Sequence, residues 1–390
     1  MVHLLEQDFG TFKNEIVKKY TWQTKSGFKV SIISYGATIQ SILVPDKVGE
    51  LNDVVLGFDD INGYVERNEP YLGATVGRCA NRIRGANFQI DGADYQLATK
   101  DFQKHIVKMY VNTLINVNWK SVVDGYKVTF SYLSKDAEEG YPGDLLTNVT
   151  YDVTDDDVIN VQFIATSTKK TVINLTNHSY FNLAGHNTGA EEVYNHVISV
   201  NADRITETTP QSIPTGGFVN VGGTPFDLRI PIRLGDVMKQ GQNLFHDNFC
   251  INTYGNKDLN FVSRVSHPRS GRYLEVYSDQ PGVQLYTANF LPFPDQEALG
   301  RYLEVYSDQP GVQLYTANFL PFPDQEALVG KSGVGYRRHG AFCLETQNYP
   351  DAVHHPNFPS PILKPGDIYK HKVMYRFGTE KYNYPQVVSA

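Results

Sequence analysis

The chain of 390 residues has three cysteines, Cys79, Cys250 and Cys343, far apart in sequence. So sparse and odd a count supports neither a disulfide framework nor a cysteine-built zinc site. It points to a reducing compartment, the cytoplasm. No apolar run approaches the roughly 20 residues that a membrane-spanning helix needs. The opening Met1-Val2-His3-Leu4-Leu5-Glu6-Gln7-Asp8 reaches charged residues too soon for a secretory signal. Positive charge is also scarce. Against 42 Asp and Glu stand 35 Lys and Arg, a formal net charge of -7, and that mild acidity argues against nucleic acid, whose phosphates would demand a basic face. Familiar catalytic loops are missing as well. There is no Gly-x-Ser-x-Gly elbow and no Gly-x-Gly-x-x-Gly after a strand. Gly330-Lys331-Ser332 echoes the end of a phosphate-binding loop, but Gln325 stands where a glycine is required. His354 and His355 are adjacent, so in an extended segment they point apart and do not make a metal pair.

What the chain has in quantity is aromatic residues, 25 Tyr and 21 Phe, within a composition that is 41% hydrophobic and 20% charged. That is a globular composition. The aromatics suit pleated surfaces, and some also suit a sugar-binding cleft. Period-two alternation dominates. Tyr126, Val128, Phe130 and Tyr132 occupy alternate positions, and so do Val149, Tyr151 and Val153. Asp155-Asp156-Asp157 then makes a turn into Ile159, Val161, Phe163 and Ala165, which predicts a hairpin. Phe28, Val30 and Ile32 start another strand, broken at Gly36 before Thr38–Val44. No long segment has a 3.6-residue period. The pattern predicts an all-β protein, a large antiparallel sandwich with few short helices. No Pro- or Ser-rich linker divides it, so residues 1–390 read as a single domain.

One internal feature stands apart. Residues 271–299 read GRYLEVYSDQPGVQLYTANFLPFPDQEAL, and residues 300–328 repeat them letter for letter. Two perfect copies are not a solenoid, whose repeats diverge and come in threes or more. Each copy reads as a hairpin around Asp-Gln-Pro-Gly. A sandwich has one slot for such a hairpin, so the spare is expected to bulge out or extend an edge.

Two stretches carry the chemistry. Thr176-Asn177-His178-Ser179-Tyr180-Phe181-Asn182-Leu183 sets one histidine among amides, hydroxyls and aromatics. Leu344-Glu345-Thr346-Gln347-Asn348-Tyr349-Pro350 does the same for one carboxylate. A lone histidine and a lone carboxylate suggest an acid–base pair for a polar ligand such as a sugar, working at neutral pH without metal or cofactor. Elsewhere a histidine so placed would be satisfied by neighbouring Asn and Ser groups. Glu345 follows the apolar Ala341-Phe342-Cys343-Leu344, where an unpaired carboxylate is costly.

Together with Gly77-Arg78-Cys79-Ala80-Asn81-Arg82-Ile83, Glu139-Gly140-Tyr141-Pro142-Gly143, Asn174-Leu175, Phe226-Asp227-Leu228-Arg229 and Gln309-Pro310-Gly311-Val312-Gln313, these stretches resemble the aldose 1-epimerases (galactose mutarotases), in the family's order. The resemblance implies a galactose mutarotase-like β-sandwich and interconversion of the α and β anomers of hexoses such as galactose and glucose. It implies Glu345 as base on the C1 hydroxyl and His178 as acid at the ring oxygen. It also implies Asn81, Arg82, Asp247, Gln313 (or its twin Gln284) and Tyr180 as substrate contacts. No metal or cofactor is implied, the partner is a small hexose, and the expected state is a monomer or weak dimer.

Two departures bear on activity. The family's Leu-His-Gly-Gly segment is absent, and Lys108 falls where its histidine would be, with His105 three residues earlier. The family's Phe-Asp-His-Asn-Phe stands here as Phe245-His246-Asp247-Asn248-Phe249. In a strand that exchange moves the carboxylate to the other face unless the backbone slips or forms a loop. Two rival readings follow, a catalytically impaired sugar-binding relative and a glycoside hydrolase. The hydrolase would need a second carboxylate flanking the bond.

Overall fold

The structure is a computed structural model. It describes residues 1–68, 70–100, 109–110, 113–209, 213–240, 246–252, 259–278, 283–286, 300–307, 311–315, 327–337 and 339–380. His105, Lys108, the first Asp-Gln-Pro-Gly turn and Asp308, Gln309 and Pro310 of the second lie outside the described residues.

Strands dominate, and the alternation in sequence is the reason. Val149, Tyr151 and Val153 are buried while Thr150 and Asp152 between them are partly exposed. Leu145–Val153 pairs antiparallel with Val158–Ser167 in the register the pattern predicts, Val153 opposite Ile159. Lys29–Ile33 pairs with Thr38–Pro45 in the same way. A ten-stranded and a seven-stranded sheet contribute to one apolar cluster. Val149, Phe163 and Tyr375 come to it from the larger sheet, and Phe249, Phe342 and Leu344 from the smaller. Each such side chain, fully buried, contributes about 1.5–3 kcal/mol relative to exposure. The helices among the described residues are short: Ile61–Glu66, Gly189–Tyr194 and Leu234–Gln240. None of the described helices is long and apolar enough to cross a membrane.

The duplicated segment departs from expectation twice. Its two strands do not close a hairpin. Arg272–Ser278 lies in the larger sheet and Val283–Tyr286 in the smaller, so each copy passes from one layer to the other. A turn signal alone does not distinguish a hairpin from a corner, because both reverse the chain over the same few residues. Nor is the spare copy an edge or a bulge. Arg272–Ser278 and Gly300–Ser307 both pair with Asn260–Pro268 and with Tyr369–Thr379, and they run parallel to each other, Glu275 opposite Glu304. In the smaller sheet Val283–Tyr286 and Gly311–Tyr315 are likewise parallel neighbours, Gln284 opposite Gln313. Identical sequences running in the same direction present identical hydrogen-bonding edges, so both copies are drawn to the same two neighbours.

Parallel pairing is the weaker kind, and a second copy competes for contacts that one copy would satisfy. Deleting either 29-residue copy leaves the same sequence. The shortened chain is expected to melt several degrees above the parent in a thermal scan. A lower melting temperature would mean that the second copy is integral to the sheets.

Candidate active site

The strand Phe342–Gln347 is buried on both faces, and alternation sorts its side chains. Phe342 and Leu344 enter the main apolar cluster. The Thr346 hydroxyl meets His371 Nε2 at 2.8 Å, while His371 Nδ1 donates to Leu175 O at 3.1 Å. Cys343 and Glu345 occupy the opposite face, where Cys343 joins a second apolar cluster with Tyr180 and Leu72. The segment bearing His178 is pinned by backbone bonds. Thr176–Asn177 pairs with Thr75–Val76, His178 N donates to Ala74 O at 2.9 Å, and Gly73 N donates to His178 O at 2.8 Å. Gly73 has φ +72°, and a Cβ there would sit 2.1 Å from Ile39 O, so only glycine allows this approach.

These two supports bring the predicted acid and base together. His178 Nδ1 lies 3.6 Å from Glu345 Oε1, with side chains 15% and 6% exposed. The Tyr180 ring stacks on the imidazole, centroids 4.8 Å apart and planes 13° apart. Tyr180 is otherwise buried, and its hydroxyl donates to Pro70 O at 2.8 Å. It fixes the imidazole from behind rather than offering a free phenol to a ligand. The smaller sheet then sets a row of positions. Glu345 is opposite Gln313, Gln313 opposite Gln284, and Gln284 opposite Asn248. Both twin glutamines share the row of Glu345, and Gln313 is its immediate neighbour.

Asp247 falls in the adjacent row, opposite Leu285, and through Leu314 aligned with Leu344. His246–Ile251 is a regular strand across these positions, neither slipped nor looped. The register therefore gives the face of Glu345 to position 248 and not to 247. This follows from the Asp–His exchange, because strand side chains alternate. Asn81 and Arg82 lie on a partly exposed loop whose Asn81 has φ +65°. That loop is tied to the end of the base strand's extension, where Asp351 N donates to Arg82 O at 3.0 Å and Arg84 N donates to Asp351 Oδ1 at 2.9 Å.

The amides and hydroxyls around the pair serve the framework. Asn177 Nδ2 donates to Gly73 O, and Asn177 Oδ1 accepts from Ser179 N and Ser179 Oγ. Asn182 Nδ2 donates to Gly340 O and Asn348 Nδ2 to Pro359 O. In sequence these groups dress His178 and Glu345 for a ligand. In the fold they bond to backbone and to one another, because loops buried this deeply must satisfy their own polar atoms. Arg78, from the Gly-Arg-Cys motif, is also internal. It is 2% exposed and donates to Ser134 O, Lys135 O and Pro142 O, which explains why that motif accompanies Glu139-Gly140-Tyr141-Pro142-Gly143.

The aldose 1-epimerase family model matches residues 18–302 and 293–376, two segments that meet inside the duplicated stretch. The chain is 40% identical to the galactose mutarotase of Bos taurus over 365 residues, covering 93% of this chain and 94% of that one. It is 40% identical to the galactose mutarotase of Homo sapiens over 362 residues, with the same coverage. A solved aldose epimerase homologue from C. elegans superposes with a TM-score of 0.74 at 25% identity, covering 98% of this chain and all of that one. This chain belongs to the aldose 1-epimerase family.

Electrostatics make the His178–Glu345 pair unusual. Burial drives the Glu345 carboxyl well above the usual carboxylate range, and the same desolvation pushes His178 down to about 3. Each group prefers to be neutral. The Cys343 thiol, the His178 ring and the Glu345 carboxylate have ligand atoms within 4.8 Å of one another, a set that could hold a metal. The thiol is an unsuitable member of it. Burial, with Glu345 beside it, pushes Cys343 well above its ordinary range, and a metal requires the thiolate.

The placement of Tyr180 generates a test. Tyr180→Phe keeps the ring on His178 but leaves Pro70 O without its donor, at a cost of about 1–3 kcal/mol. A lowered melting temperature with an unchanged KM for galactose is expected. A several-fold rise in KM would show that the phenol reaches the sugar.

Proposed function

We propose that this chain interconverts the α and β anomers of hexoses by acid–base opening and reclosure of the ring, with Glu345 as base and His178 as acid. Family membership makes the chain an isomerase of the aldose 1-epimerase class. The observation that carries the residue roles is the 3.6 Å approach of His178 Nδ1 to Glu345 Oε1 in a water-poor site. Glu345 takes the proton of the C1 hydroxyl as the C1–ring oxygen bond breaks, and His178 gives its proton to the ring oxygen. The aldehyde rotates about C1–C2. The ring oxygen then attacks the other face of C1, returning its proton to His178 while Glu345 returns the other to the new hydroxyl. No proton is gained or lost over the cycle. Groups so positioned typically contribute about 100- to 10,000-fold each. Asn81, Arg82 and Gln313 are the residues proposed to hold the hydroxyls. Arg82 offers a planar fork of donors to paired oxygens. Galactose is the first substrate to test, since the relatives at 40% identity are galactose mutarotases. A cytoplasmic monomer or weak dimer, with no nucleic-acid partner, completes the reading.

A glycoside hydrolase would need a carboxyl acid where this site has an imidazole. A disabled sugar binder is favoured by Lys108 standing where the family carries a histidine. Optical rotation of freshly dissolved α-galactose decides. Equilibration no faster than in buffer would leave the sugar binder as the better account.

Two further outcomes follow from the assigned roles. Glu345→Gln should reduce kcat by at least about 100-fold while galactose binding survives, because the amide keeps the shape and loses the basicity. The same substitution should stabilise the protein. In the unfolded chain Glu345 ionises above 4.5, but the folded state holds its proton to higher pH. The native glutamate therefore lowers stability as pH rises above that value, and the gain in melting temperature on substitution should grow with pH in that window. Full activity in Glu345→Gln would mean that the base lies elsewhere. The pH profile is the second outcome. Below about pH 3 the pair holds two protons, and above the raised pKa of Glu345 it holds none. Between these limits the pair holds one proton, which rests on Glu345 and has to pass to His178 for the assigned roles, so the two titrate as one coupled unit. On acidification kcat/KM should therefore persist through the ordinary imidazole value of ~6.5 and be lost only toward about pH 3. A loss of activity on acidification centred near the ordinary imidazole value would contradict the coupled pair.

A further inference from the structure

Asn174 sits four residues before His178, is 2% exposed, and directs its polar groups to two other segments. Its N–H donates to Arg78 O at 2.9 Å, and its carbonyl accepts from Ala80 N at 2.6 Å. Its side-chain Nδ2 donates to Asn348 O at 3.3 Å, and its Oδ1 accepts from Asn348 N at 2.8 Å. Arg78–Ala80 leads directly into Asn81 and Arg82. Asn348 is three residues beyond Glu345. A single residue thus joins the segment carrying His178 to the strand carrying Glu345 through its side chain, and to the loop carrying the proposed sugar contacts through its backbone.

We propose that Asn174 is the positioning residue that sets the separation of His178 and Glu345. The inference rests on the acid–base reading of that pair. The two side-chain bonds act as a clip with a defined length, since a donor and an acceptor on one planar amide meet an N–H and a carbonyl of one residue. The segment keeps other anchors that secure the fold without the clip. Thr171 and Val172 pair with Leu363 and Ile362, Thr176 pairs with Val76, and Leu175 N donates to the Tyr369 hydroxyl at 3.2 Å. Removing the clip should therefore cost alignment more than folding. A misplacement of about 1 Å at reacting groups can cost about 100-fold in rate.

The test compares Asn174→Ala and Asn174→Asp with the parent full-length protein, using galactose mutarotation and thermal melting. Asn174→Ala removes both side-chain bonds and leaves both backbone bonds. Its kcat should fall by about tenfold to 100-fold per folded molecule, with KM within about threefold of the parent. Asn174→Asp keeps the acceptor for Asn348 N–H and loses the donor, so its kcat should be intermediate. An unchanged kcat per folded molecule would reduce Asn174 to a structural residue and overturn the proposal. So would a loss confined to KM, which would place its effect on sugar binding alone. If Asn174→Ala does not fold, Asn174→Asp decides: a lowered kcat at constant KM supports the clip, and a parental kcat overturns it. An active parent with unaffected variants refutes only this inference, whereas an inactive parent refutes it together with the acid–base reading.

Discussion

A carboxyl group held out of water against an imidazole is the costly element of this fold, and the surrounding structure is arranged to make it tolerable. Neither Glu345 nor His178 is at ease as an ion there, since burial raises the pKa of one and lowers that of the other. Such a pair persists only if its neighbours leave it no means of relaxing. The base strand is buried on both faces, with Phe342 and Leu344 locked into the apolar cluster between the sheets. The imidazole is backed by the Tyr180 ring and carried on a segment bonded at Gly73 and Ala74. The desolvation that shifts both groups also lowers stability, the compromise expected where a fold serves activity.

The polar residues that make the two motifs conspicuous work one step behind the chemistry. Asn177, Asn182 and Asn348 saturate the backbone of loops that would otherwise bury unpaired groups, and the Ser179 hydroxyl donates to Asn177 Oδ1. Arg78 does the same for the turn at Pro142. An amide in a loop motif looks the same in sequence whether it meets a ligand or a neighbouring carbonyl. The distinction depends on what lies across from it, and for Asn177, Asn182 and Arg78 that is a segment 104, 158 and 64 positions away.

The duplicated segment illustrates a related point. Two identical copies compete for one set of neighbours, and both find them, because strand pairing recognises edge pattern and direction rather than position in the chain. The price is parallel pairing in sheets whose other ladders run antiparallel, next to the strand that carries Glu345.

Alternation by itself determined that this is a strand protein, since Val149 to Val153 and Ile159 to Ala165 have only one way to bury their apolar side. The motifs by themselves determined the family, and with it His178 and Glu345 as the pair to examine. Tertiary structure decided what those motifs could not express. It set the 3.6 Å between two groups far apart in the chain. It turned Tyr180 into a support, gave the face of Glu345 to position 248 rather than 247, and sent the two strands of each repeat into different sheets. The physical reason is one of range. Local pattern dictates which side of a strand is apolar, whereas partners, register and distance depend on contacts between segments that meet only when the chain has folded.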